Sequence, residues 1–119
     1  MMTAREVAIV AAKALDSKKG HDIKLLQIDQ VSSLADHFLI CTGGSNTQVK
    51  TLCDAVEKAM DEVGEPTLRR EGHRSGTWVL LDFGSLVVHV FTEDTRKFYD
   101  LERLWRDAVQ VPLQDIISE

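Results

Sequence analysis

The stretch His37-Phe38-Leu39-Ile40-Cys41-Thr42-Gly43-Gly44-Ser45-Asn46-Thr47-Gln48-Val49 changes its period in the middle. Residues 37–42 are rich in branched apolar side chains and stop at two glycines, which predicts a strand ending in a turn. Ser45 and Gln48 then carry the S-x-x-Q signature of a helix start. Val49, Leu52, Cys53, Val56, Ala59, Met60 and Val63 follow at helical spacing until Gly64, so the stripe predicts one long amphipathic helix. A strand that turns directly into a helix is the unit of an α/β layer.

Working toward the N-terminus, residues 23–28 form a second branched apolar run and predict another strand. Before it, Thr3 and Glu6 repeat the capping-box pattern, and Val7, Ala8, Ala11, Ala14 and Leu15 recur at helical spacing, predicting a helix over 4–18. Toward the C-terminus, the polar stretch 69–76 reads as an exposed loop, with room for a short strand ahead of it. Residues 77–83 and 86–91 are apolar runs separated by Gly84-Ser85, the spacing of a two-residue hairpin. Thr92 stands where a third helix would be capped, Glu93 and Asp94 occupy its first turn, and Phe98, Leu101, Leu104, Trp105 and Ala108 supply its apolar positions. After Pro112, Leu113, Ile116 and Ile117 fit a short turn. The expected architecture is α/β: a mixed β-sheet with helices mainly on one face, in a single domain over 1–108 followed by a tail over 109–119.

At 119 residues and 44% hydrophobic content, the chain can bury a core without metal or disulfide staples. Its 19 acidic and 14 basic residues give a net charge of −5, which suits a basic protein partner and argues against nucleic acid as the main one. Cys41 and Cys53 lie inside apolar patterns, without metal or disulfide spacing, and read as buried thiols. The alanine-rich N-terminal run is interrupted by Lys13 and Asp16 before reaching membrane-spanning length, so the expected location is cytoplasmic.

The Gly43-Gly44-Ser45 junction admits two readings: an anion cradle at a helix start, or a tight turn whose serine caps the helix. The second is favoured, because neither the lysine of a P-loop nor the third glycine of a dinucleotide fingerprint follows. Nucleotidyltransferases resemble the chain in placing such a turn after a strand, but they continue with paired carboxylates on the next strand. Here Asp54, Glu57, Asp61 and Glu62 lie on the polar side of a helix, and Asp82 is the lone carboxylate on the hairpin, too few for a two-metal site. A degenerate nucleotide-binding enzyme around Gly43, Gly44, Ser45 and Asp82 is the alternative function. No metal, cofactor or catalytic group is otherwise indicated: His21 and His73 read as loop residues and His89 as a neutral strand histidine.

Period two separates the hairpin faces. Trp78, Leu80 and Asp82 share one with Val87, His89 and Phe91, while Val79, Leu81 and Phe83 share the other with Leu86, Val88 and Val90. A face mixing Trp, His and Asp with large apolar groups is either an interaction surface or ordinary core, and periodicity leaves both open. Arg96, Phe98, Tyr99, Glu102, Arg103 and Trp105 add aromatic and charged groups nearby.

These residues fall into two recognisable blocks. Ser32-x-x-Ala35-Asp36-x-Phe38-Leu39-Ile40-Cys41-Thr42-Gly43-Gly44-Ser45 with Gln48-Val49 is the first. Glu71-Gly72, Gly76-x-Trp78-Val79-Leu80-Leu81-Asp82, Val87-Val88-His89-Val90-Phe91 and Arg96-x-Phe98-Tyr99-x-Leu101-Glu102-x-Leu104-Trp105 make up the second. In order and spacing they resemble the ribosomal silencing factor, or Iojap-like, family over residues 5–106. His37 replaces a frequent aromatic and Asp100 a common asparagine. The resemblance implies a nucleotidyltransferase-like fold without transferase activity, a homodimer, and a translation repressor. Such a protein binds the large ribosomal subunit at its fourteenth ribosomal protein and blocks joining of the small subunit when nutrients are limiting. Position in the motifs assigns recognition to Trp78, Leu80, Asp82, His89, Phe91, Tyr99, Glu102 and Arg103. Trp78 would be the apolar anchor, with Asp82 and Glu102 facing partner Lys or Arg. Arg69, Arg70 and Arg74 offer a minor ribosomal RNA contact, against the simpler reading of a solvated loop. A further reading makes the sheet face a dimer interface alone.

Overall fold

In a computed structural model that describes residues 2–117, Ser45 Oγ accepts from Gln48 N at 3.1 Å and opens α2 (Asn46–Glu62). Gln48 Oε1 accepts from the Gly44 backbone, one residue earlier than a strict capping box requires. At α1 (Ala4–Ser17) the box is complete: Thr3 Oγ1 accepts from Glu6 N, and Glu6 Oε1 accepts from Thr3 N at 2.8 Å. Those bonds to the charged form hold the Glu6 carboxyl below its usual range.

The strands are β1 (His21–Gln27), β2 (His37–Gly43), β3 (Arg69–Glu71), β4 (Trp78–Asp82), β5 (Leu86–Thr92) and β6 (Val109–Val111). They form one sheet in the order β3-β4-β5-β2-β1-β6, in which β2 and β5 are parallel and the other neighbours antiparallel. The sheet is therefore mixed, as expected. Helices α1 and α2 cover one face, where Leu25, Leu39, Cys41, Val79, Leu81, Val88 and Val90 meet Val7, Ala8, Leu15, Leu52, Val56 and Met60. Removing such a Leu or Val from water contributes about 2 kcal/mol per side chain. The hairpin turns at Gly84 (φ 89°) and closes with Phe83 N donating to Leu86 O at 2.8 Å.

Three expectations are corrected. The stretch 69–76 is not all loop, because Arg69–Glu71 pairs with β4 through its backbone and needs no apolar side chains to do so. The expected third helix is two: α3 (Glu93–Tyr99) and α4 (Leu101–Leu104) meet at Asp100, which takes the left-handed conformation (φ 48°, ψ 56°) that Asp tolerates better than most residues. The break turns Leu101, Trp105 and Ala108 onto the second sheet face and leaves Phe98 and Leu104 in solvent. The segment read as a tail carries β6, paired antiparallel with β1, and seats Val111, Leu113 and Ile117 in the first core.

Candidate docking face

The second face of the sheet holds a cluster of rings. Trp78 opposes Phe91 across the hairpin and stacks on it (centroids 5.1 Å, 25° apart), and Tyr99 packs against Trp78 at 4.5 Å. Phe38 meets both His89 (4.9 Å) and Trp105 (5.1 Å) nearly at right angles. Tyr99 in turn meets Phe98 at 5.1 Å and 86°. Such contacts add about 1 kcal/mol each beyond the area they bury.

Trp78 Nε1 donates to His89 Nδ1 at 3.2 Å. Nδ1 must then be the unprotonated nitrogen, which puts the imidazole proton on Nε2. Burial favours this neutral form and pushes the His89 pKa down to about 4. His89 and Phe91 are 4% and 1% exposed, so they lie behind Trp78 and support it rather than face a partner. The exposed members are Phe98 (80%) and Tyr99 (46%), with Leu104 (72%) beyond them.

The charged residues of the expected site are mostly engaged within the chain. Asp82 Oδ1 accepts from Gly84 N at 2.9 Å and shapes the hairpin turn. Glu102 Oε1 accepts from Arg96 Nε at 2.9 Å. Leu80 is half-buried beside Trp78, and Arg103 is exposed on α4. The structure thus brings Trp78, Leu80, His89, Phe91 and Tyr99 together on or beside one face, while Asp82 stands at the far end of the hairpin.

Sequence reasoning missed the weight carried by Arg96. Though 93% of its surface is covered, its Nη1 donates to Asp22 O (2.6 Å) and Thr42 Oγ1 (2.8 Å), while Nε meets Glu102. One side chain therefore ties α3 and α4 to the ends of β1 and β2, holding Tyr99 against Trp78. Its motif position was visible, but partners 74 and 54 residues away were not.

The alternative nucleotide site is not assembled. Gly43 is paired with Thr92, whereas Asp82 is paired with Val87, five residues back along β5 or about 17 Å. The glycine has a packing reason instead: a Cβ on Gly43 would lie 2.8 Å from Val49 Cγ2. A cleft of about 510 Å³ at this end includes Arg96 and Lys97, but Asp22, Glu93, Asp100 and Glu102 also line it, an excess of negative charge that opposes a phosphate. Among the described residues no three His, Cys, Asp or Glu side chains are grouped to hold a metal, and no helix is long and apolar enough to cross a membrane. Asp54 and Glu57, read as a solvated face, instead receive His73 (3.0 Å) and both Thr67 and Arg70 (2.8 and 3.1 Å) from the segment before β4.

Known proteins match this chain along its length. The family model described as ribosomal silencing factor during starvation matches residues 1–119. Ribosomal silencing factor RsfS of Halalkalibacterium halodurans is 41% identical over 117 residues, covering 98% of this chain and 100% of that protein. A crystal structure of a Chromobacterium violaceum protein superimposes with a TM-score of 0.86 at 41% identity, over 87% of each chain. A mouse protein named mitochondrial assembly of ribosomal large subunit protein 1 is 29% identical over 94 residues, covering 76% of this chain and 41% of its own.

Proposed function

Because the chain belongs to the ribosomal silencing factor family, we propose that it represses translation by docking on the large ribosomal subunit at its fourteenth ribosomal protein, where it blocks joining of the small subunit during nutrient limitation. It acts in the cytoplasm as a homodimer and by steric exclusion, without turnover. The observation that carries this reading is the open edge of the ring cluster, where Phe98 and Tyr99 stand in solvent beside a half-buried Trp78. Aromatic anchors of this kind supply much of the energy of protein–protein docking. The name of the mouse relative supports the large subunit as the partner, and the net charge of −5 suits a basic ribosomal protein.

Within the expected set, Trp78, Leu80, Tyr99 and Arg103 are the contact residues, and His89 and Phe91 act through Trp78. The test is co-sedimentation with isolated large and small subunits, comparing the wild type with Trp78→Glu and with the more exposed Tyr99→Glu. Selective pelleting with the large subunit, lost in both variants, is the expected result. Pelleting that survives both moves the docking face elsewhere, and no pelleting with either subunit removes the reading. Light scattering of the free protein checks the dimer.

A further inference from the structure

Both carboxylates that the sequence offered to a basic partner are occupied, Asp82 by the hairpin turn and Glu102 by Arg96. A third acid, outside that set, is not. Asp94 is exposed on the first turn of α3, and among the described residues no ion pair includes it, whereas its neighbour Glu93 meets Lys97 at 3.3 Å. Asp94 lines a groove of about 540 Å³ together with Thr77, Trp78, Thr95, Phe98 and Tyr99. The groove therefore combines three aromatic rings with one carboxylate.

The rings present a particular chemistry. Trp78 has committed its only hydrogen-bond donor to His89, so what it offers the groove is the face and edge of an indole with no N–H to give. Trp78 and Tyr99 touch, with centroids 4.5 Å apart and planes 46° apart, and Phe98 stands nearly perpendicular to Tyr99, so the groove is floored by the outward surface of this ring pair. Aromatic faces attract cations, indole most strongly, and a planar guanidinium can stack on a ring while its N–H fork meets a carboxylate. An ammonium would gain the charge but not the stacking.

We infer that this groove receives one arginine side chain of the docked partner, its guanidinium lying across the exposed ring surface of Trp78 and Tyr99 and paired with Asp94, while His89 holds the indole in place. The inference rests on the large-subunit reading for the identity of the partner, and the overall charge of −5 favours a basic one. It assigns Asp94 and Phe98 to recognition and removes Asp82 and Glu102 from it.

Two measurements test it. In binding to isolated large subunits, Asp94→Asn weakens affinity about tenfold and flattens the salt dependence, whereas Glu93→Gln, one residue away, stays within about twofold. Among the described residues Asp94 makes no side-chain hydrogen bond or ion pair, so the substitution removes only its favourable charge on the first turn of α3. In the free protein, acetyl-arginine amide shifts the Trp78 indole and Tyr99 ring resonances saturably, and Asp94→Asn reduces the shift. Wild-type affinity in Asp94→Asn overturns the inference and leaves large-subunit docking standing. If the wild type does not bind large subunits, the docking reading falls and the titration alone decides: absence of a saturable shift overturns the arginine site. An equal response to acetyl-lysine amide overturns the guanidinium assignment.

Discussion

Beneath α1 and α2, the strands present Leu39, Val79, Leu81 and Val88, all aliphatic and all closed to solvent; from the opposite side of the same strands rise Phe38, Trp78, His89 and Phe91, ring against ring. The first face is sealed by two long helices. The second is closed only in part, by the short α4 and the turn after it, which bring Leu101, Trp105 and Ala108 over Phe38 and Phe91. The difference teaches how a small domain can divide its two sheet faces: one is filled to be stable, and the other, left incomplete, is where the proposed docking places the partner.

The largest effect expected of this division is Leu81→Ala, which opens a cavity in the sealed face and costs about 4 kcal/mol in urea unfolding. A cost no larger than that of a surface change would break the comparison. Acid sharpens it. His89 has its pKa lowered by burial to about 4, and His37 is shifted the same way, first by burial and then by Arg5. The unfolded chain takes up protons at ordinary histidine pKa values, so stability is full above about pH 6.5 and declines as the pH falls toward 4, by about 3 kcal/mol from His89. Unfolding followed across that window measures the slope, and the Trp78 indole N–H resonance, which loses its acceptor when His89 protonates, assigns the ring-face share. Stability unchanged between pH 7 and 4.5 would contradict the buried neutral rings.

Arg96→Ala comes next. It leaves Asp22 O, Thr42 and Glu102 without their shared donor and is expected to cost about 2 kcal/mol. It should weaken large-subunit binding by more than that loss implies for a folded protein, because Tyr99 is no longer held against Trp78. Binding unchanged at a temperature where the variant is fully folded would show that the α3–α4 unit positions nothing. Smallest is Leu104→Ser, exposed on α4, expected within about 0.5 kcal/mol of wild type in the same urea experiment.

The helices capped at Thr3 and Ser45 and the hairpin at Gly84 were legible because each carries its own start or turn signal beside a clean period. The break at Asp100 was not: Phe98, Leu101, Leu104 and Trp105 keep helical spacing across it, and nothing in that spacing records one left-handed residue. Strand β6 escaped, and β3 was expected just ahead of residue 69 rather than at it, because three residues at a sheet edge need only backbone partners. For the candidate site, period two put Trp78, His89 and Phe91 on the correct side of the hairpin. It could not report depth, and depth divides the half-buried Trp78 from the sealed His89 and Phe91. Arg96 stayed hidden because its ligands come from β1 and β2, far away in sequence.

Strand β6 has a consequence for synthesis. It pairs with β1, yet four other strands are synthesised between the two. Until β6 is made, the backbone donors and acceptors along that side of β1 have no strand to meet, and the apolar sites later filled by Val111, Leu113 and Ile117 stand open. A nascent chain stalled short of residue 109 therefore presents a sticky sheet edge to its neighbours on a polysome, and release from that hazard coincides with the arrival of three residues.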